Sequence, residues 1–239
     1  MASEENNLGG VAQFGMLLLA VDTCGPTGSV ALGRLAGRDL EILGQIELEG
    51  RSYSATLVTA VGELLKSAGV WLNDVGGIVA VSGPGSFTGV RVGLAAVKGL
   101  AEGAEIPVVA ISRLEVLARK SGVPSAALDA HRGEVFLRVE RTGKGPRELL
   151  AGMQELAAID PAPLRIAVCD DGAAAVLGAA WPGTQLVRCA APIATDAMRL
   201  GEARLVAGAV VDLALLDGHY LRRSDAEIFG DAAAERRGA

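Results

Sequence analysis

Residues 78–100, IVAVSGPGSFTGVRVGLAAVKGL, constrain the fold more than any other stretch of the chain. Ile78 to Val81 is a short apolar, β-branched run of the kind that forms a strand covered on both faces. It stops at Ser82-Gly83-Pro84-Gly85, where glycine permits backbone angles closed to other residues and Pro84 cannot continue a ladder. With Thr88 as N-cap, the spacing predicts a helix to about Glu102. A strand, a glycine-rich turn and a helix in that order present free backbone N–H groups to an anion.

The turn departs from the familiar phosphate templates. Gly83, Gly85 and Gly89 give G-x-G-x-x-x-G, not the dinucleotide fingerprint, and no Gly-Lys-Ser/Thr follows as a Walker loop requires. Two readings stand. The glycines let helix and strand approach closely, which is preferred, or they form an anion or nucleotide site of Asp22, Gly83, Gly85, Ser86, Thr88, Gly89 and Arg91. The helix is more informative. Only Arg91, Lys98 and Glu102 are charged, on one narrow stripe, whereas an ordinary surface helix needs only about 100° of apolar surface. It therefore touches something on two sides: its own sheet, and either a neighbouring helix or a partner protein.

At 239 residues the chain holds one large domain or two small ones. Half of it is apolar while aromatics make up only 3%, so the core is built from small and branched side chains with closely packed helices. A net charge of −6 argues against stand-alone nucleic-acid binding, which needs a basic surface. Cys24, Cys169 and Cys189 lack CxxC spacing and read as reduced thiols of a cytoplasmic protein, not as a disulfide frame or zinc site. Residues 1–15 lack the regions of a signal peptide and read as a flexible extension. No run is apolar enough to span a bilayer.

In order, strands are expected at Leu17–Asp22, Ser29–Arg34 and Leu40–Leu48, the last alternating and half exposed. A helix capped by Ser52 or Ser54 runs to about Ala68. The strand and helix described above follow, then a strand at Val108–Ile111 and a helix opened by the capping box Ser112-Arg-Leu-Glu115. The order β-β-β-α-β-α-β is that of the ribonuclease H or actin-like core. It then starts again: AVDTCGPTGSVAL and ALDAHRGEVFLRV both run strand, Asp, tight turn, strand. Strands at Ser125–Asp129, Glu134–Glu140, Arg165–Cys169 and Gln185–Arg188 follow, with a third strand of this copy placed at Arg147–Leu150. A helix from about Ala194 to Ala207 closes the set. The fold class is thus α/β, two tandem ribonuclease H/actin-like (ASKHA) lobes, each a mixed sheet with helices. The expected division is an extension at 1–15, a first lobe at 16–111, a second at 112–208, and a tail at 209–239 that packs back before becoming disordered. In paired actin-like lobes the cleft between them holds a nucleotide, which is an analogy of fold.

The chemical inventory is thin. Asp22 and Asp129 each end a first strand, where a carboxylate can approach a phosphate-bound magnesium ion, but bonding to turn N–H groups is the preferred reading. There is no HxxxH or HExxH, and no carboxylate cluster of metal-ligand spacing. His131 reads as a solvated turn residue, and Ser86 lacks the GxSxG setting of a hydrolase nucleophile. No catalytic residue and no metal ligand is assigned. An enzyme-like frame with so few reactive groups suits a partner subunit.

LLLAVDTCGPTGSVAL, VSGPGSFTGVRVGLAAVKGLAEGAEIPVVAISRLEVLA, ALDAHRGEVF and YLRRSDAE together resemble the bacterial TsaB (YeaZ) family, over about Leu17 to Glu227. The resemblance implies a non-catalytic scaffold and dimerisation subunit. It would bind and activate TsaD, which transfers threonylcarbamoyl to the N6 of adenosine beside the anticodon in tRNAs reading ANN codons. TsaE is the ATPase partner, tRNA is contacted mainly through partners, and the chain alone forms a homodimer. It implies no cofactor of the chain's own, with ATP or ADP at the subunit junction of the complex. The HxxxH that binds metal in TsaD has no counterpart here. In the family the first two helices of the N-terminal lobe face the partner, which here implies Leu57, Val58, Val61 and Leu65 of the first, and Val90, Leu94, Val97, Lys98 and Ala101 of the second. Tyr53-Ser54 stands where many relatives have His-Ser, and His219 where Pro commonly precedes the Tyr. The alternative function is an actin-like ATPase or small-molecule kinase using Asp22 and the glycine turn.

Overall fold

The computed structural model describes residues 15–49, 52–141 and 143–222. Strands β1 (Met16–Asp22), β2 (Thr27–Ala36) and β3 (Asp39–Glu49) form an antiparallel meander, and β4 (Val75–Gly83) and β5 (Val108–Ser112) join β1 in parallel. The sheet order is β3-β2-β1-β4-β5. β1 lies in the middle and is buried along almost its whole length, which is why its sequence does not alternate. Two helices, α1 (Tyr53–Ala68) and α2 (Phe87–Ala104), supply the crossovers and lie side by side on one face.

The same order repeats. β6 (Ala126–Asp129), β7 (Val135–Val139) and β8 (Arg147–Ala151) are antiparallel, and β9 (Arg165–Val168) and β10 (Gln185–Arg188) add in parallel. The second sheet has the order β10-β9-β6-β7-β8, matching the first strand for strand. The expected pair of ribonuclease H/actin-like lobes is present, including the third strand at Arg147. The crossovers of the second lobe are the short α4 (Met153–Ala157) and α5 (Asp171–Ala180).

The last helix of each repeat crosses to the other lobe. α3 (Arg113–Ser121) puts Leu114, Leu117 and Ala118 against Leu128 and Phe136 of the second lobe, while its Val116 reaches the first core. α6 (Ala194–Val206) instead buries Ala194, Ala197, Met198 and Leu205 in the first core. The expected second lobe, 112–208, is therefore corrected at its C-terminal end. The inner face of α6 is small enough to lie close to the strands: a Cβ at Gly201 would come within 2.6 Å of Val79. On β2, Gly28 abuts Tyr53 of α1 and Gly33 abuts Met198 of α6. An odd spacing along a strand means opposite faces, so α6 covers the side away from α1 and α2. Cross-lobe polar contacts fix it there. The N–H of Ala194 donates to Ser29 Oγ at 2.8 Å, Lys120 pairs with Asp196 at 2.7 Å, and Arg204 pairs with Glu115 at 2.6 Å.

Two local expectations are corrected. α2 is capped by Ser86, whose Oγ accepts from the Gly89 N–H, so Thr88 lies inside the helix. Ser112 forms no capping box with Glu115: its hydroxyl donates to Glu148 at 2.6 Å, and Glu115 takes Arg204. Contacts between lobes outcompete the local motif. Beyond α6, the Val211 N–H donates to Val108 O along the edge of β5, Leu216 is buried, and the His219 N–H donates to Ser82 O at 2.7 Å. Residues 209–222 thus run back along the first lobe, while the extension before residue 15 and the end of the tail lie outside the described residues. Among the described residues no helix is long and apolar enough to cross a membrane.

Glu148 of β8 ties these parts together. It accepts from Ser112 Oγ at the end of β5, from Arg138 at 2.8 Å within its own lobe, and pairs with His219 of the tail at 2.8 Å. Burial pushes its carboxyl up, but the hydrogen bonds from His219, Ser112 and Arg138 outweigh it and hold the group below the usual carboxylate value of 4.5. A depressed folded value stabilises the fold above the unfolded value and is lost as pH falls through the folded one. Urea unfolding of the protein and of Glu148→Gln should therefore show a stability gap at pH 6 that shrinks below about pH 4.5. A gap independent of pH would contradict the role assigned to this carboxylate.

Candidate functional site: the inter-lobe cleft and the outer helix face

The lobes enclose a cleft of about 1390 Å³. Its walls come from the β1–β2 turn, the start of α2, the β6–β7 turn and the returning tail. Asp22, at the end of β1, lies beneath this cleft and is 1% exposed. Its Oδ1 accepts from the Cys24 N–H at 2.9 Å and its Oδ2 accepts from Arg113 Nε at 3.2 Å. Arg113 is itself buried. Burial works against its charge, but Asp22, together with Cys24 and Cys169 beside it, offsets this and holds the guanidinium above its usual value. The carboxylate that an actin-like kinase would turn to a magnesium ion is here bonded to a fixed cation of the chain. Arg113 was missed in the sequence because it reads as a helix residue inside a capping box.

The rest of the turn is equally committed. Burial, and next to it the charge of Asp22, pushes the Cys24 thiol well above its ordinary value, and it donates to Val81 O. It is a packed thiol, not a nucleophile. Burial and Asp22 together push Tyr53 up to about 12, and its hydroxyl donates to Gly25 O at 2.9 Å. A Cβ at Gly85 would press into the Cys24 carbonyl oxygen, and one at Gly89 into that of Thr23. These glycines bring the start of α2 close to the β1–β2 turn, where the sequence reading expects a close approach of helix and strand. Gly83 has φ +115° before a cis bond to Pro84. Arg91 projects to the rim, its guanidinium 3.7 Å above the Phe87 ring and its Nε 3.3 Å from Tyr220 Oη.

The structure thus gathers Asp22, Gly85, Ser86 and Gly89 around one turn, while Thr88 is exposed on α2 and Arg91 is engaged by aromatic rings. On the opposite wall Asp129 accepts from the His131 N–H at 2.8 Å, the turn bonding expected of it. The His131 side chain is 84% exposed. Among the described residues no three His, Cys, Asp or Glu side chains converge as metal ligands.

The outer surface of α1 and α2 is the second candidate. Of the residues expected to face a partner, Leu57, Val61, Leu65, Val90, Leu94, Val97 and Ala101 are buried against the sheet, Lys98 is half-buried, and only Val58, 58% exposed, stands free. The expected face is thus corrected: most of the branched side chains of both helices turn to the sheet, together with Ala60, Gly89, Gly93 and Ala101. The outer face carries Ala55, Val58 and Gly62 of α1 and Ala95, Gly99 and Gly103 of α2. A Cβ at Gly62, Gly99 or Gly103 would meet nothing within 4 Å. Gly62 and Gly99, in helix interiors, each cost helix stability of about 0.5–1 kcal/mol relative to alanine, with no return from packing among the described residues.

Comparison with known proteins gives a consistent picture. Residues 43–149 match the family model TsaD, tRNA N6-adenosine threonylcarbamoyltransferase. The chain is 38% identical over 127 residues to the tRNA threonylcarbamoyladenosine biosynthesis protein TsaB of Escherichia coli, covering 51% of this chain and 53% of that protein. Its likeness to the Bacillus subtilis TsaB is 38% over 125 residues, again 51% and 53%. It spans about half the length of these curated relatives. The solved structure of YeaZ from Pseudomonas aeruginosa superposes with a TM-score of 0.67 at 27% identity, covering 86% of this chain and all of that one.

Replacing Arg113 by Met should destabilise the protein by about 3–5 kcal/mol, because it leaves the Asp22 charge buried and alone. The double variant Asp22→Asn/Arg113→Met should recover most of that loss. Urea denaturation at neutral pH measures both, and equal loss in single and double variants would contradict the pairing.

Proposed function

This chain belongs to the TsaB (YeaZ) family, and on that premise we propose that it is the non-catalytic scaffold subunit of a tRNA threonylcarbamoyladenosine complex. It binds and activates a TsaD-type catalytic subunit, which adds threonylcarbamoyl to the N6 of adenosine beside the anticodon in ANN-decoding tRNAs. TsaE joins as the ATPase, tRNA is gripped mainly by the partners, and the chain pairs with itself when alone. It works in the cytoplasm and holds no cofactor of its own; ATP or ADP sits at the junction of the subunits.

The observation that carries this reading is the outer face of α1 and α2. Gly62 and Gly99 inside the helices, with Gly103 in the last turn of α2, have no packing reason among the described residues and are accounted for when another helix packs directly on them, since the missing Cβ lets backbones approach. The matched stretch 43–149 includes both helices, so a TsaD-type partner brings a related pair, and the two pairs can pack about a pseudo-two-fold axis. A specific contact of this kind buries roughly 800 Å² per partner. The bond of Asp22 to Arg113 and the packed glycine turn weigh against the ATPase or kinase alternative.

Gly99→Ala separates folding from assembly. It should raise the stability of the isolated chain by up to about 1 kcal/mol, yet weaken co-purification with the host's TsaD. Gly99→Leu and Val58→Glu should abolish the complex in size-exclusion chromatography while leaving the circular dichroism spectrum unchanged. A complex that survives both substitutions would overturn the placement of this interface.

A further inference from the structure

Cys169 and Cys189 lie twenty positions apart in sequence, but the second sheet makes them neighbours. β9 and β10 run parallel in register, Val168 opposite Arg188, and the ladder continues one step further with the Cys189 N–H donating to Val168 O at 3.1 Å. Side chains alternate cleanly across this sheet. Ile166, Val168 and Leu186 enter one core, while Ala167 with Cys169 and Val187 with Cys189 face the other, beneath α3. The two thiols therefore project from adjacent positions toward the same side. Neighbouring strands lie roughly 4.8 Å apart, inside the Cα window of roughly 4.4–6.8 Å that a disulfide requires. β9 ends at Val168 and β10 at Arg188, so both cysteines sit just past the ends of their strands.

We infer that Cys169 and Cys189 form a dithiol site that closes to an intramolecular disulfide when it meets a disulfide oxidant such as oxidised glutathione. Both cysteines are free and half-buried, and Cys169 lines the inter-lobe cleft, which gives a reagent its path. Cys24 is excluded, being 1% exposed and bonded to Val81 O. In the first step one cysteine thiolate attacks a sulfur of oxidised glutathione, forms a mixed disulfide and releases one glutathione thiolate. The second cysteine thiolate then attacks the protein-side sulfur, and the other glutathione thiolate leaves. Two cysteine thiols are oxidised, one glutathione disulfide is reduced to two thiols, and the two protons pass to the departing glutathione. The location gives the bond its consequence. Residues 189–193 carry the chain from β10 of the second lobe to α6 on the first, so the bond pins the root of that crossing to β9.

Burial pushes both thiols up, Cys169 to about 11 with Arg113 opposing and Asp170 adding, and Cys189 with Lys120 opposing and Asp196 adding. Few thiolates exist at neutral pH, so closure should be slow there and speed up about tenfold per pH unit up to the Cys169 value.

The full chain, incubated with excess oxidised glutathione at pH 8.5 or so, acid-quenched and digested with trypsin, tests this by mass spectrometry. Arg165, Arg188 and Arg199 place the two cysteines in separate tryptic peptides. The expected product is those two peptides joined, the intact chain lighter by two hydrogens and free of glutathione. Cys189→Ser should instead stop at a glutathionyl adduct on Cys169. Phenylarsine oxide, which bridges adjacent thiols, should bind one per chain and lose that stoichiometry in the same variant. Amide exchange over residues 189–193 should slow in the oxidised chain. Two separate glutathionyl groups on the folded wild-type chain, or no closure and no arsenical bridge at all, would overturn the inference.

Discussion

Asp22 and Arg113 meet beneath the cleft at 3.2 Å, both almost wholly removed from solvent. The pair joins the end of the central strand of the first lobe to the first residue of α3, the helix that passes into the second lobe. Neither charge is tolerable there without the other, because removing a partner strands an ion in a medium of low polarity. The pair therefore fixes where the chain changes lobes. It also decides the chemistry of the cleft: a carboxylate already bonded to a guanidinium and to a backbone N–H has little left for an incoming cation.

Around that pair the molecule is fastened by exchange. Each repeat sends its last helix to the other repeat's sheet, so the lobes share cores instead of resting against each other. Lys120–Asp196, Arg204–Glu115 and the Ser112–Glu148–His219 cluster all join segments far apart in sequence. The tail, with Tyr220 against Phe87 and Arg222 paired with Glu134, closes the same side of the cleft.

Much of this frame is legible in the sequence, because strand and turn signals are local. The repeated β-β-β-α-β-α-β order follows from apolar runs, an Asp at the end of each first strand, and glycine-containing turns. Even the weak third strand at Arg147 falls where the duplication requires it. What a single sequence does not carry is which surface an element chooses. The short amphipathic α6 packs equally well, by its pattern, on either sheet. α2 is apolar or small on nearly every side, so periodicity alone assigns Val97 and Gly99 to neither face. Ser112 and Glu115 have capping-box spacing, yet partners from another lobe take both side chains. Arg113 is invisible for the same reason: nothing near it in sequence announces a buried carboxylate 91 positions earlier.

The body of the protein is thus enzyme-shaped while the polar groups beneath its cleft are spent on holding it together, and the outer face of two helices carries glycines that no contact among the described residues explains. The most direct test is titration of the purified chain with Mn²⁺, with and without ATP, followed by water-proton relaxation, on wild type and Asp22→Asn. The account expects no saturable Mn²⁺ site that depends on Asp22, and the same relaxation curve for both proteins. A saturable site in the wild type that disappears in Asp22→Asn would mean that Arg113 yields to a metal ion, and that the cleft performs chemistry of its own.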